Sequence, residues 1–152
     1  MTTWSERLTE LGITLPPVAA PVAAYVPAVR SGAQVLTSGQ LPFVDGALAA
    51  TGKLGAEVSA EQGAELARTC ALNALAAVHA LVGIDSVVRV VKVVGFVASA
   101  EGFTGQPGVV NGASELLGEV FGEAGVHARS AVGVAELPLG APVEVELVVE
   151  VA

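Results

Sequence analysis

The chain has 152 residues, enough for one domain that buries about two thirds of the surface its unfolded form exposes. Of these, 53% are hydrophobic, 4% aromatic and 14% charged, against roughly 25% charge in an average soluble domain, and the formal net charge is −8. That balance argues against nucleic acid as a partner, because nonspecific affinity for phosphates comes from clustered Lys and Arg, and no run approaches the ~18 apolar residues of a membrane span.

Ser5 to Leu11 reads as a short amphipathic helix stopped by Gly12, and "LPPVAAP" as an extended linker, because proline disfavours helix on both sides of itself. Residues 1–20 thus read as an N-terminal arm and residues 21–152 as the domain. "MTTWSERLTELG" mixes charges of both signs and is no secretory signal, so a cytoplasmic location is expected. "YVPAVRSGAQVLTSGQLPF" predicts two strands joined at Ser31 and Gly32. "VDGALAATG" predicts a hairpin around Asp45-Gly46, making the first third a β-meander.

Ser59 then caps a long helix, with Gln62 in capping-box spacing. Ala67, Ala71, Ala74, Val78 and Leu81 draw one apolar stripe along it until Gly83 ends it. "SVVRVVKVVGFVASA" is the strongest strand, apolar at odd and even positions alike, which predicts burial on both faces. After the loop "EGFTGQPG" a second helix is expected from Val109 to about Phe121, then two terminal strands flanking the turn-like "LPLGAP". This order predicts an α+β sandwich. Two helices cover only one face of such a sheet, and an apolar second face points to an oligomer.

Few chemistries are open to these residues. Only His79 and His127 are present, and Cys70 and His79 fall on opposite sides of one helix, so no metal site is expected. The lone Cys70 excludes an intramolecular disulfide and reads as a buried helix residue in a reducing compartment. No nucleophile elbow, phosphate loop or dinucleotide fingerprint occurs. What remains is Arg129, Glu144, Tyr25, Ser38 and Asn111. Arg129, a permanent cation in an apolar and acidic tail, needs an anion: Glu144 or Glu146 on the returning strand, Glu136, or a ligand carboxylate. Each candidate also has a plain structural reading, with the glutamates on a solvated strand face, Tyr25 packing, Ser38 in a turn and Asn111 opening a helix.

The pattern "YVPAV…VLTSGQLP", then "VVKVVGFVAS", "VNGASELLGEVFG" and "HARSAVGVAELPLGAPVEVELVVEVA", resembles the RidA/YjgF (YER057c/UK114) family, once called L-PSP endoribonucleases, over about residues 20 to 152. The resemblance implies a chorismate-mutase-like α+β domain with a six-stranded, mostly antiparallel sheet and two helices on one face. It also implies a homotrimer with ligand clefts between subunits. The implied activity is hydrolysis of reactive enamines and imines of the 2-aminoacrylate type to a 2-oxo acid and ammonia, without cofactor or metal. Arg129 then matches the clamp on the substrate carboxylate and Glu144 the carboxylate that orients or activates water. Tyr25 matches a tyrosine contributed across the subunit interface, and Ser38, Asn111 and the Arg129-Ser130 backbone match further ligand contacts.

This chain departs from the family pattern at "AAY" before the tyrosine, at Ala131 where a cysteine is common, and in a longer loop before Asn111. Two alternatives stand beside the hydrolase: a noncatalytic trimer that binds a small metabolite such as a 2-oxo acid, and a translation-inhibiting ribonuclease. Periodicity leaves open which of Glu144 and Glu146 faces the cleft.

Overall fold

Thr3 opens the first helix reciprocally: its hydroxyl accepts from the Glu6 amide at 3.2 Å while its own amide donates to the Glu6 carboxylate at 2.8 Å. The resulting α1 (Trp4–Glu10) belongs to a computed structural model that describes residues 1–21 and 23–152. The helix is docked against the fold. Trp4 Nε1 donates to the Val87 carbonyl at 2.8 Å, the Trp4 ring meets Phe121 edge-on with centroids 5.1 Å apart, and Leu8 is buried.

β1 (Ala28–Ser31) and β2 (Gln34–Thr37) form a hairpin, and β3 (Phe43–Val44) and β4 (Ala47–Leu48) form a second. The second turns at Asp45 and Gly46, whose φ of 52° and 82° give the mirror-image turn that suits the twist of flanking strands. Ser59 caps α2 (Ala60–Val82) by accepting from the Gln62 amide, and Gly83 ends it, as expected. β5 (Val87–Ala98) follows, then α3 (Gln106–Phe121), β6 (Ala128–Val134) and β7 (Val143–Val151). α3 starts inside the expected loop, because Pro107 sits in its first turn, where the missing N–H costs nothing and the fixed φ is already helical.

The main sheet has five strands in the order β1-β2-β7-β5-β6, mostly antiparallel, with β5 and β6 parallel across the α3 crossover. The expectation of six strands is corrected. Both edges of β7 are occupied by β2 and β5, so after a bridge from Gln40 to Val145 the chain pairs only with itself, as the separate β3-β4 hairpin. The two terminal strands are not neighbours in the sheet, because β5 lies between β6 and β7.

On β7 the odd residues Val143 to Val151 point to the helices and are buried. Val35, Val90, Val93 and Val97 complete that layer, each burial contributing about 1.5–3 kcal/mol. α2 lays Ala67, Ala71, Ala74 and Val78 on it, whereas Leu81, at the end of the predicted stripe, is exposed. The opposite face carries Val29, Leu36 and Val148 in one register, Phe96 beside Val132 in another, and Val94, together with Glu144, Glu146, Glu150, Arg89 and Lys92. Among the described residues no helix covers this side, and Val29 is 50% and Val132 43% exposed. In the single chain β5 is therefore buried fully on its helix face, and its other face is the one for which the sequence reading called for a partner copy. Among the described residues, no helix is long and apolar enough to cross a membrane.

Candidate active site: two charges on opposite faces of the sheet

Each residue of the stretch Thr37-Ser38-Gly39-Gln40 has a structural task at one end of the sheet. Thr37 Oγ1 accepts from the Leu147 amide at 3.0 Å, and Gln40 exchanges backbone hydrogen bonds with Val145 at 2.8 and 3.0 Å. The Ser38 hydroxyl donates to the Val26 carbonyl at 2.6 Å and its amide to the Pro27 carbonyl at 2.8 Å, which ties the segment carrying Tyr25 to the end of β2. Gly39 supplies space, since a Cβ there would collide with the Glu144 carboxylate. Glu144 and Tyr25 thus line one shallow recess of about 40 Å³, walled by Gly39, Gln40, Phe43 and Pro138.

Glu144 is half-buried. Burial, and after it the neighbouring Glu146 carboxylate, push its pKa above the ordinary carboxylate value. Because Glu144 and Glu146 are two residues apart on one strand they share a face, so no one-residue slip of register exchanges them. Position along the strand separates them instead: Glu144 stands opposite Phe96 and against Gly39, Glu146 opposite Val94.

Arg129 occupies the other end. Its Nη1 donates to Asn111 Oδ1 at 2.8 Å and to Ser114 Oγ at 3.2 Å, and Nη2 donates to the Pro107 carbonyl at 3.2 Å. Those three partners lie at helical spacing on α3, one stripe facing β6. α3 comes this close because β5 offers Gly95 beneath it, where a Cβ would strike Val110. Every acceptor is neutral. Of the five guanidinium donors, Nε–H and one Nη2–H have no acceptor among the described residues, and the Nε/Nη2 edge is a fork to which a carboxylate binds bidentately.

Of the anions left open for Arg129, none of the glutamates is used within the chain: among the described residues no carboxylate pairs with Arg129, and Glu136 meets Lys53 Nζ at 2.8 Å. Register explains the separation. Arg129 is paired with Val93 on the helix face, whereas Glu144 is paired with Phe96 on the uncovered face. Within one protomer the two charges therefore point to opposite sides of the sheet. Ser130 is paired with Val94, so its side chain lies on the uncovered face, and Ala131, beside Gly95, packs against the core. β6 is an edge strand, which leaves alternate backbone groups along it facing outward.

Two residues of this site escaped the sequence reading. Ser114 hydrogen-bonds Arg129 and His127 together, and its signal was its position one helical turn beyond Asn111. His127 carried no periodic signal, because it lies in the turn before β6. Elsewhere, His79 is a helix-surface residue whose Nδ1 accepts from the Ile84 amide at 3.0 Å, and burial pushes the Cys70 thiol up, leaving it an inert core group. Among the described residues no cluster of His, Cys, Asp or Glu is arranged to hold a metal. A larger groove of about 440 Å³, between arm residues 14–20, the β3-β4 turn and α2, is mostly apolar and shares Ala19, Ala20 and Phe43 with the Glu144 recess.

The family profile described as "YjgF/chorismate_mutase-like, putative endoribonuclease" matches residues 5–151. The chain belongs to this family. Its matched span begins within α1 and takes in both ends of the site. Protein TCP17 of Trypanosoma cruzi is 51% identical over 146 residues, 95% of this chain and 91% of that protein. The crystal structure of Atu1372 from Agrobacterium tumefaciens, a protein of unknown function, superimposes with a TM-score of 0.90 at 44% identity, covering 98% of this chain and 92% of the other. One from Shewanella oneidensis, described in the same endoribonuclease terms, reaches 0.94 at 34% identity over 99% and 100% of the two chains. The fold is the family's chorismate-mutase-like α+β fold.

Proposed function

We propose that this protein hydrolyses reactive enamines and imines of 2-amino acids to the 2-oxo acid and ammonia, in clefts formed between copies of the chain. The observation that carries this reading is the Arg129 guanidinium, held by neutral acceptors with its Nε/Nη2 edge left to bind a carboxylate. Glu144 supplies the complementary group. A carboxylate whose pKa is raised by burial is a stronger base when ionised, suited to take a proton from water as the oxygen adds to the imine carbon. From the protonated imine this gives a carbinolamine, whose amine takes that proton back and leaves as ammonia while the hydroxyl passes its own proton to Glu144 and the C=O bond of the oxo acid forms. An imine is already electrophilic, so positioning supplies most of the catalysis.

Because the two groups face opposite sides of one protomer, a single substrate meets both only where a second copy brings its own Glu144 recess to this copy's Arg129. The uncovered apolar face supports that assembly, and a closed ring, a trimer by family resemblance, buries it. Against ribonuclease action, the formal net charge is −8, with seven Lys and Arg in the whole sequence.

The test is a trapping assay. An amino-acid oxidase or serine dehydratase generates the imine, and semicarbazide captures what is not hydrolysed. Wild-type protein is expected to suppress trapping and Arg129→Ala to leave it at the level without protein. Equal suppression by both would remove the clamp role; suppression by neither, alongside retained binding of a 2-oxo acid, would favour the noncatalytic binding reading.

A further inference from the structure

His127 and Ser114 stand behind Arg129, and with the His127 ring neutral the donor and acceptor chemistry of the group admits one arrangement of protons. His127 Nδ1 lies 2.6 Å from the Gly125 carbonyl oxygen, which only accepts, so Nδ1 carries the hydrogen. In the neutral ring Nε2 then accepts, and the Ser114 hydroxyl, 2.9 Å away, donates to it. With its hydrogen so directed, Ser114 Oγ turns a lone pair toward Arg129 Nη1, which donates to it at 3.2 Å. The chain of donation runs one way, from Arg129 through Ser114 and His127 to the backbone, and each bond polarises the next. Its far end is fixed: Gly125 is buried against the Leu117 carbonyl, where any side chain would collide.

We infer that Ser114 and His127 are positioning residues that lock the Arg129 guanidinium in the one rotation that presents its Nε/Nη2 edge to a ligand carboxylate. Asn111 and the Pro107 carbonyl hold the guanidinium from the start of α3. Without Ser114 the second Nη1 hydrogen has no acceptor, and the plane is free to rock about those two contacts. The use of this lock rests on the reading of Arg129 as a carboxylate clamp; its geometry does not.

The test separates the two by nuclear magnetic resonance on the whole protein at pH 8. His127 is expected in the Nδ1–H tautomer, and the Nη protons of Arg129 are expected as distinct resonances with no ligand present. Ser114→Ala should collapse those resonances into one averaged signal and weaken binding of pyruvate about tenfold, the loss of one hydrogen bond to a charged group. Ser114→Thr, which keeps the hydroxyl, should restore both. The Nε2–H tautomer in the wild type, or distinct Arg129 signals in Ser114→Ala, would overturn the lock. If the lock is seen but the wild type binds no 2-oxo acid, the positioning stands and the imine hydrolase reading falls.

Discussion

Compared with the Arg129 end of the sheet, the Glu144 end is held by shape rather than by hydrogen bonds. Arg129 has three neutral acceptors from α3, so its cation is well solvated by protein yet not neutralised. Glu144 is packed into the space left by Gly39, and its charge is opposed by burial and by Glu146. The contrast fits the two tasks proposed for these groups. A group that must stay charged and grip an anion gains from fixed dipoles, whereas a group that must take up a proton gains from an environment that disfavours its charge. The two ends also lie on opposite faces, and on the proposed function the protomer is half of two sites rather than the whole of one.

The largest expected effect breaks that division directly. Arg129→Ala and Glu144→Gln should each lower imine hydrolysis about hundredfold or more, from the loss of a bidentate charged contact and of a general base respectively. Mixed after unfolding together and refolding, the two inactive variants should recover about a quarter of wild-type activity, because in a closed ring about a quarter of the interfaces pair an intact Arg129 with an intact Glu144. No recovery would place both groups of each site in one protomer.

Gly39→Ala is the next in size. Gly39 lies outside the left-handed region, so alanine strains no backbone there and its methyl only pushes the flexible Glu144 carboxylate aside. Activity should fall by up to about a hundredfold from misplacement of the base, while thermal stability changes by about 1 kcal/mol or less. Affinity for a 2-oxo acid, set by Arg129, should stay near wild type in a binding titration.

The smallest effects are on stability and have opposite signs at two carboxylates. Glu144 has a folded pKa raised above 4.5, so the folded state binds the proton more tightly and loses stability as pH rises through that window. Glu144→Gln should therefore melt higher than wild type at pH 7 by a few degrees and match it near pH 4. Asp85 is the control: the Ser5 hydroxyl and amide hydrogen bonds lower its pKa below 3.8, so its contribution is present above that value and lost as pH falls. Asp85→Asn should loosen α1 and melt slightly lower than wild type at pH 7, with the difference vanishing in acid. Melting curves of the two variants across pH test both signs.

The sequence by itself determined what depends on neighbours three or four residues away: the Ser59 cap, the Gly83 stop, the Asp45-Gly46 turn and the existence of β5 and β7. Such signals are local because helix and turn hydrogen bonds close within one turn of chain. Its motifs also named Arg129, Glu144, Tyr25, Ser38 and Asn111, and the structure gathers Arg129 with Asn111 and Glu144 with Tyr25, while Ser38 braces the Tyr25 segment. Only the tertiary structure decided that β5 separates β6 from β7, that five strands and not six form the sheet, and that the arginine and the glutamate face opposite ways. An apolar strand reads the same whichever strand pairs with it, and strand order is set by long-range pairing that no local pattern encodes. The link between Ser114 and His127 was invisible for the same reason, being made across a turn between a helix and a strand.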